Sequence, residues 1–327
     1  MPHTDPSFLI GVIREKEKQF LDSDRYVRIV QSPSVEGGLA ALSDTVYGRW
    51  MKEPYSVAGA LAALDAHAKE EMDWIFDYLD APRVRLFVSA QADALNIVDA
   101  LFAWKQGEPT FELSSQLGSL SQEMLFDAVW NNVSLTGVGP WGAIIADERA
   151  QAQEETWSQS QVLGRMAGRV VEVLFALADT PLMREIAALV AHKAMVEVVL
   201  RKQESLALSA KMITALHGEA LAHATSVPEL VQALAALGYT QFSAQALEEV
   251  ESHIDATAYE LAWDTELLHA VRRHRLDVSG YDPIIAYWFG KQMEGRSLRF
   301  MISAKASGMS EEKVQSFLRP YYQYSFL

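Results

Sequence analysis

Residues 281–314 read YDPIIAYWFGKQMEGRSLRFMISAKASGMSEEKV and carry several helix signals. The pair Asp282-Pro283 predicts a helix start, because proline is favoured in the first helical turn. From Ile284 to Ile302 apolar residues occur on nearly every side, which is typical of a helix surrounded by other helices. Ser310 precedes two glutamates and predicts a further helix start. The segment therefore indicates a buried helix in an α-helical protein.

One carboxylate, Glu294, falls inside this apolar stretch. A buried charge without a partner is costly, and charges inside proteins are usually paired. We expect Glu294 to pair with an arginine or to cap backbone amides. This structural role is favoured over a catalytic one.

Helical periodicity also dominates the rest of the chain. Between Ser56 and Asp80 the apolar residues follow steps of three and four, which places them on one stripe of a helix. Ser226-Val-Pro-Glu229 predicts a capping box. Residues 84–88 could form one short strand, but no sheet can be built from it. The sequence therefore predicts an all-α fold, with breaks at residues 131–142 and at Thr180-Pro181.

Two internal echoes suggest a repeated helical unit. Ser34, Ala41-Leu42 and Tyr47 recur 192 residues later, ending at Tyr239. A second echo, at an offset of 201 residues, relates Asp93-x-x-Asn96 to Glu294-x-x-Ser297 and continues to a glycine in each copy, Gly107 and Gly308. We infer a helical unit that is used in the first third of the chain and again in the last.

Composition excludes several classes of function. The formal charge of −15 makes nucleic acid an unfavourable partner, because an acidic surface repels phosphate. The absence of cysteine excludes disulfides and thiolate metal sites and suits a reducing compartment. The N-terminal segment lacks an export signal, which predicts a cytoplasmic location. The uncharged windows 128–146 and 230–247 are too polar or too broken for lipid, so no bilayer insertion is expected.

No convergent set of catalytic residues is found. Gly137-Val-Gly139-Pro-Trp-Gly142 spells GxGxxG but follows a poor strand, so a glycine-rich connector is favoured over a nucleotide site. His217-Gly-Glu219 lacks the cysteines of zinc deaminases, and Glu266 with His269 forms only one carboxylate–histidine pair. We therefore expect no catalytic residue, no cofactor and no metal ligand set.

The C-terminal segment resembles the signature of the family formed by the C subunits of V/A-type (vacuolar/archaeal-type) ATPases, called d subunits in the vacuolar enzymes. The matching positions are Pro283, Ala286-Tyr287, Lys291, Glu294, Leu298-Arg299, Lys305, Gly308 and Glu311-Glu312. Ser297 departs from the family's usual asparagine, which the earlier copy keeps as Asn96. The earlier copy in turn has Phe102 and Trp104 where basic residues are usual. Near the N-terminus, Thr45-Val-Tyr47-Gly48 is similar to the family's Thr-x-Tyr-Gly element.

The resemblance implies a funnel-like array of three similar helical units with pseudo-threefold symmetry, at residues 1–130, 131–224 and 225–327; the middle unit is presumed. It also implies a non-catalytic protein of the central stalk, on the cytoplasmic face of a membrane. A protein of this kind couples a rotating shaft to a ring of membrane proteolipids that transports protons or sodium ions. An unrelated helical adaptor and a helical enzyme remain as alternatives.

The C-terminal end is locally basic, with 9 basic and 5 acidic residues from Arg272 onward. Arg272, Arg273 and Arg275 form the densest cluster, and Arg296 and Arg299 lie one helical turn apart. We expect at least one of these groups to face an acidic partner surface. Neutralisation by the chain's own carboxylates is the alternative, and it is favoured at least equally for Arg296 and Arg299.

Overall fold

The computed structural model describes residues 5–51, 55–153, 159–202 and 208–322. These ranges form sixteen α-helices and no strand, which confirms the all-α prediction. The helices, in chain order, are α1 (Pro6–Glu17), α2 (Ser23–Gln31), α3 (Val35–Ala40), α4 (Val57–Tyr78), α5 (Pro82–Gln106), α6 (Gln122–Val129), α7 (Trp141–Ala152), α8 (Gln159–Leu177), α9 (Pro181–Leu200), α10 (Ala210–Ala215), α11 (Glu219–His223), α12 (Val227–Ala236), α13 (Ala244–Glu251), α14 (Thr257–His274), α15 (Asp282–Ala306) and α16 (Glu311–Ser316).

The chain divides into two compact units. Unit 1 comprises Met1–Asp80 and Thr257–Leu327, and unit 2 comprises Ala81–Ala256. In unit 1, α15 packs against α4 and α14 and also contacts α1, α2 and α3. Its core includes Leu39, Leu42, Leu64, Leu298, Met301 and Ile302. The signature helix is therefore the central element of unit 1.

The predicted helix at residues 56–80 is α4, whose first turn is capped by the Ser56 side chain. The Gly59 N–H donates to Ser56 Oγ at 3.1 Å, which satisfies one of the free donors of the first turn. The buried stripe contains apolar residues of the predicted pattern and also His67 and Glu71. Glu71 belongs to the polar network described below, and His67 packs edge-on against Tyr47, another member of that network.

In unit 2, α8 packs against both α5 and α9. The possible strand at residues 84–88 is wrong, because these residues belong to α5, which has proline in its first turn. This helix is long and apolar enough to cross a membrane by length and composition, but 61% of its apolar stretch is buried inside the protein. Asp93, within α5, is fully buried, so the helix is better explained as the core of a folded unit.

Most helix ends follow the sequence signals. The break at residues 131–142 spans the connection between α6 and α7, and Thr180 caps α9 after a short connection from α8. Ser310 caps α16 by accepting the Lys313 N–H at 3.4 Å. The capping box at Ser226 is only partly present: Ser226 occupies the N-cap without a side-chain bond to the helix. Glu229 instead accepts the Thr225 N–H at 2.7 Å.

Candidate interaction site

The arginines of the basic cluster lie in the last turn of α14 and just after it. Arg273 is exposed, whereas Arg272 and Arg275 are half-buried. Arg275 Nη1 donates to the Tyr322 carbonyl at 3.2 Å, and the guanidinium lies 5.6 Å from the Tyr322 ring centre. The following turn exposes two aliphatic side chains, Leu276 and Val278. The cluster thus stands beside a solvent-exposed turn.

Arg296 and Arg299 have carboxylate partners in their own chain. Arg296 Nη1 donates to Asp264 Oδ1 at 2.5 Å, while Arg319 Nε donates to Asp264 Oδ2 at 2.5 Å. Arg299 Nη2 donates to Asp65 Oδ1 at 2.5 Å. Asp264 is buried, and the two arginines that bracket it satisfy both of its oxygens.

The motifs with possible chemistry do not converge on a catalytic site among the described residues. Gly137 and Gly139 lie in the loop before α7. His269 Nδ1 lies 3.8 Å from Glu266 Oε2, one turn away on a helix surface. Within the described ranges, one group has the spacing of metal ligands: His274, Asp277 and Asp282, whose ligand atoms lie within 4.8 Å of one another. His274 Nδ1 lies 3.0 Å from Asp277 Oδ2, a hydrogen-bonding distance that accounts for this contact within the turn.

Glu294 lies at the centre of a buried polar network in unit 1. Its Oε1 accepts from the Tyr47 hydroxyl at 2.6 Å and from Lys291 Nζ at 2.9 Å, and its Oε2 accepts from the Leu21 N–H at 2.6 Å. The expected backbone cap is confirmed, and the cation beside it is a lysine rather than an arginine. Burial and the neighbouring carboxylate raise the pKa of Tyr47 well above its ordinary value, so its hydroxyl remains a donor.

A second carboxylate, Glu71, extends the network. It accepts from Lys16 Nζ at 2.8 Å and from the Tyr287 hydroxyl at 2.7 Å. Burial alone would raise the pKa of Glu71, but these two hydrogen bonds and the charge of Lys16 together lower it. The network therefore joins α1, α4 and α15 through charged groups held inside the unit.

His67, one turn before Glu71 on α4, is buried and lies edge-on to Tyr47 with 4.6 Å between ring centres. Burial and then the Lys291 charge lower the pKa of His67 to about 4. Neither ring nitrogen has a hydrogen-bond partner in the described part of the chain. At neutral pH the ring therefore packs as an uncharged aromatic group.

Two concave surfaces in unit 1 adjoin this network. The smaller, of about 320 Å³, is lined by Lys16, Gln19, Thr45, Val46, Arg49 and Glu71. The larger, of about 590 Å³, is an open groove along α4 lined by Trp50, Ala66, Lys69, Glu70, Asp73, Trp74, Asp77 and Tyr78; we call it the α4 groove. Its breadth and openness suit a macromolecular partner better than a small substrate, which needs an enclosed pocket.

The chain is similar to known proteins over most of its length. The family described as ATP synthase (C/AC39) subunit matches residues 172–317. A similar protein, the C subunit of the A-type ATP synthase of Thermococcus kodakarensis, is 24% identical over 343 aligned positions, covering 97% of this chain and 91% of the relative. The chain is thus similar to the ATP synthase (C/AC39) subunit family over residues 172–317 and to an A-type C subunit over nearly its whole length. This confirms the resemblance to the C subunits of V/A-type ATPases.

Residues of the C/AC39 signature take packing roles in this structure. Lys305 Nζ donates to the carbonyls of Val30 at 2.7 Å and Ser32 at 2.6 Å, at the C-terminal end of α2. Gly308 adopts a φ of 74°, a left-handed conformation that glycine adopts without strain, just after α15 ends. These two signature residues therefore help to hold α15 and the turn after it in place.

The Thr-x-Tyr-Gly element of the C/AC39 family is likewise structural. The Thr45 hydroxyl donates to the Leu42 carbonyl at 2.6 Å and accepts the Tyr47 N–H at 3.2 Å. A Cβ at Gly48 would lie 2.0 Å from the Ser43 carbonyl oxygen, so the turn requires glycine. The turn places Tyr47 against Glu294.

Three long helices of the chain share a pattern that the two sequence echoes showed only in part. Helices α5, α9 and α15 have proline in the first turn, at positions 82, 181 and 283. A buried polar residue follows eleven positions after each proline: Asp93, His192 and Glu294. The constant distance of eleven positions from the proline was a sequence signal that could have identified the middle copy, in which the polar residue is a histidine.

Each of these polar residues binds a neighbouring segment. Asp93 Oδ1 accepts the Ser119 and Leu120 N–H groups at 2.7 and 2.9 Å. His192 Nδ1 lies 2.8 Å from the Tyr239 hydroxyl, and its Nε2 lies 2.7 Å from the Leu216 carbonyl. Tyr239 is the residue that echoes Tyr47. The two tyrosines thus make the same kind of contact, each to the buried polar residue of a proline-led helix.

Proposed function

We propose that this chain is a non-catalytic central-stalk subunit of a rotary V/A-type ATPase or ATP synthase. It joins the rotating shaft to the membrane ring of proteolipids and passes torque between them during proton or sodium ion transport. It lies on the cytoplasmic face of the membrane as part of the complex and does not insert into the bilayer. Its own residues perform no chemical step.

The observation that carries this proposal is that the polar side chains of the signature bind other parts of the same chain. Four polar residues of the signature contact other segments of the chain: Tyr287, Glu294, Arg299 and Lys305. Lys291 pairs with Glu294 on α15 itself and lies over the Phe20 ring. Functional residues of an enzyme converge on a pocket and leave groups available to substrate. A segment whose polar groups hold helices together instead suits a protein that must transmit force without deforming.

The three-unit architecture is part of the proposal. The intervals 1–130, 131–224 and 225–327 each contain one pair of consecutive long helices: α4 and α5, α8 and α9, and α14 and α15. The second helix of each pair carries the buried polar residue after its proline. We propose that these intervals form three similar units around a pseudo-threefold axis, as in the funnel implied by the family.

Contacts with the shaft and the ring should be largely polar, because the chain meets both outside the bilayer. Arg272, Arg273 and Arg275 remain the proposed contact with an acidic partner surface, since they adjoin an exposed turn. Arg296 and Arg299 are weaker candidates, because Asp264 and Asp65 already bind them.

Affinity purification from the native host tests the proposal. A tagged chain expressed at its normal level should recover the shaft subunits, the catalytic subunits and the proteolipid. The wild-type chain is compared with the triple variant Arg272→Glu, Arg273→Glu and Arg275→Glu. The variant should retain its helical circular dichroism and assemble more weakly than the wild type in a salt-dependent way. Recovery of unrelated proteins without any motor subunit would instead favour a helical adaptor.

A further inference from the structure

The α4 groove combines aromatic walls with a row of carboxylates. Glu70, Asp73 and Asp77 follow one another at steps of three and four along α4, so they share one face of the helix. Trp74 and Tyr78 stand beside them with 6.0 Å between ring centres. The row extends about 10 Å, or two turns, at 1.5 Å per residue.

The aromatic walls already bind cations of the chain itself. Lys16 Nζ lies 4.4 Å from the centre of the Trp74 ring, and the Arg49 guanidinium lies 5.4 Å from that of Trp50. Cations over indole faces are attracted by the ring quadrupole. The walls of the groove therefore have the chemistry that recognises lysine and arginine side chains.

The carboxylates are available to a partner. Arg49 pairs with Glu70 and Lys69 pairs with Asp73, but all four side chains are more than 40% exposed, and such surface pairs contribute little to stability. Asp77 is exposed and has no ion pair within the described ranges. Lysine or arginine side chains of a partner can therefore replace Arg49 and Lys69 at little energetic cost and pair directly with Asp77.

One hydrogen-bond donor in the groove is also unsatisfied. Trp50 Nε1 is shielded from solvent and meets no acceptor in the described part of the chain. A shielded donor without an acceptor is unfavourable. An oxygen of a partner would satisfy this donor if binding displaced the side chains that shield it.

We infer that the α4 groove binds a helical segment of a partner subunit that carries lysine or arginine at positions i, i+3 or i+4, and i+7. Its cations face Glu70, Asp73 and Asp77, and one of its apolar side chains packs against Trp74 and Tyr78. Nucleic acids and anionic lipids are disfavoured by the acidic row. The inference rests on the proposed function, because the partner is another subunit of the same motor.

Charge reversal in the groove tests the inference. Wild-type chain, Asp77→Lys and Glu312→Lys are each titrated into the purified complex that lacks this protein, and binding is measured at low and at high salt. Glu312 is exposed on α16, outside the groove, and receives the same change of charge. We expect Asp77→Lys to bind about tenfold more weakly at low salt, equivalent to about 1.4 kcal/mol, and Glu312→Lys to bind like the wild type.

Equal binding of all three proteins would overturn the groove inference and leave the proposed function intact. Failure of the wild type to bind the complex would overturn both. As a second readout, a photoreactive benzoylphenylalanine at position 78 should crosslink to a segment rich in lysine or arginine. A crosslink to an acidic segment or to lipid would contradict the inference even if Asp77→Lys merely misfolded.

Discussion

The buried carboxyl of Asp93 should make the stability of this protein depend on pH. Burial raises the pKa of Asp93 to about 6, against an ordinary value of 3.8, although hydrogen bonds from Ser119 and Leu120 oppose the change. The difference corresponds to about 3 kcal/mol between the two protonation states. Because the pKa is raised in the folded state, protonation of Asp93 stabilises the folded protein, and this stabilisation is complete below about pH 3.8. It is lost as the pH rises through about 6.

The substitution Asp93→Asn isolates this effect. An amide oxygen at the position of Oδ1 can still accept the Ser119 and Leu120 N–H groups, and an amide nitrogen at the position of Oδ2 can donate to Ser119 Oγ, which lies 2.7 Å from that oxygen. The variant keeps the contacts and has no charge to bury. Its free energy of unfolding relative to the wild type should therefore rise by about 2.5 kcal/mol between pH 4 and pH 8.

Urea denaturation followed by circular dichroism at several pH values measures this difference, and other titrating groups cancel in the comparison. Asp93→Ala should instead be destabilised at every pH by about 2–4 kcal/mol, since it leaves buried N–H groups unpaired. Asp99→Asn, on the same helix, is the control and should parallel the wild type. If the curves for Asp93→Asn and the wild type were parallel from pH 4 to 8, the raised pKa would be refuted.

Three further substitutions test the packing roles. Glu294→Ala should lower the free energy of unfolding by about 3–5 kcal/mol, because it leaves Lys291 buried without its carboxylate; a loss below about 1 kcal/mol in urea titrations would contradict the network. Gly48→Ala should cost about 1–3 kcal/mol, because its Cβ would lie 2.0 Å from the Ser43 carbonyl oxygen, and an unchanged melting temperature would refute the steric argument. Lys305→Met should cost about 1–3 kcal/mol by freeing the α2 carbonyls, and faster amide hydrogen exchange in α2 should report it.

Local signals in the sequence predicted the helices well. Pro283 and Ser310 lie at helix starts, and the stripe of α4 is buried as its periodicity indicated. Residues 84–88 form helix despite their β-branched residues because Pro82 begins α5 and its apolar sides are covered. In this case tertiary packing overrode local propensity.

Partners distant in sequence could not be read from periodicity. The cost of burying a charge predicted that Glu294 needs hydrogen-bond or charge partners. No signal in the neighbouring sequence identified those partners as Leu21 and Tyr47, which lie more than 240 residues away. His67 and Glu71 were missed because a polar residue on an apolar stripe gives no sign of its partner. The proline-led pattern is present in the sequence but is hard to recognise. The middle copy has a histidine, His192, in place of a carboxylate, and consecutive copies are 99 and 102 residues apart rather than equally spaced.

The central claim is that this chain couples the catalytic head to ion movement, and ion pumping by native membrane vesicles tests it most directly. Vesicles from cells lacking the chain, with and without the purified protein added back, are given ATP while a potential-sensitive dye reports charge movement and phosphate release reports hydrolysis. We predict that ATP hydrolysis in the deletion generates no potential and that the added protein restores it, for protons or sodium ions alike. Full generation of the potential without the chain would contradict the account.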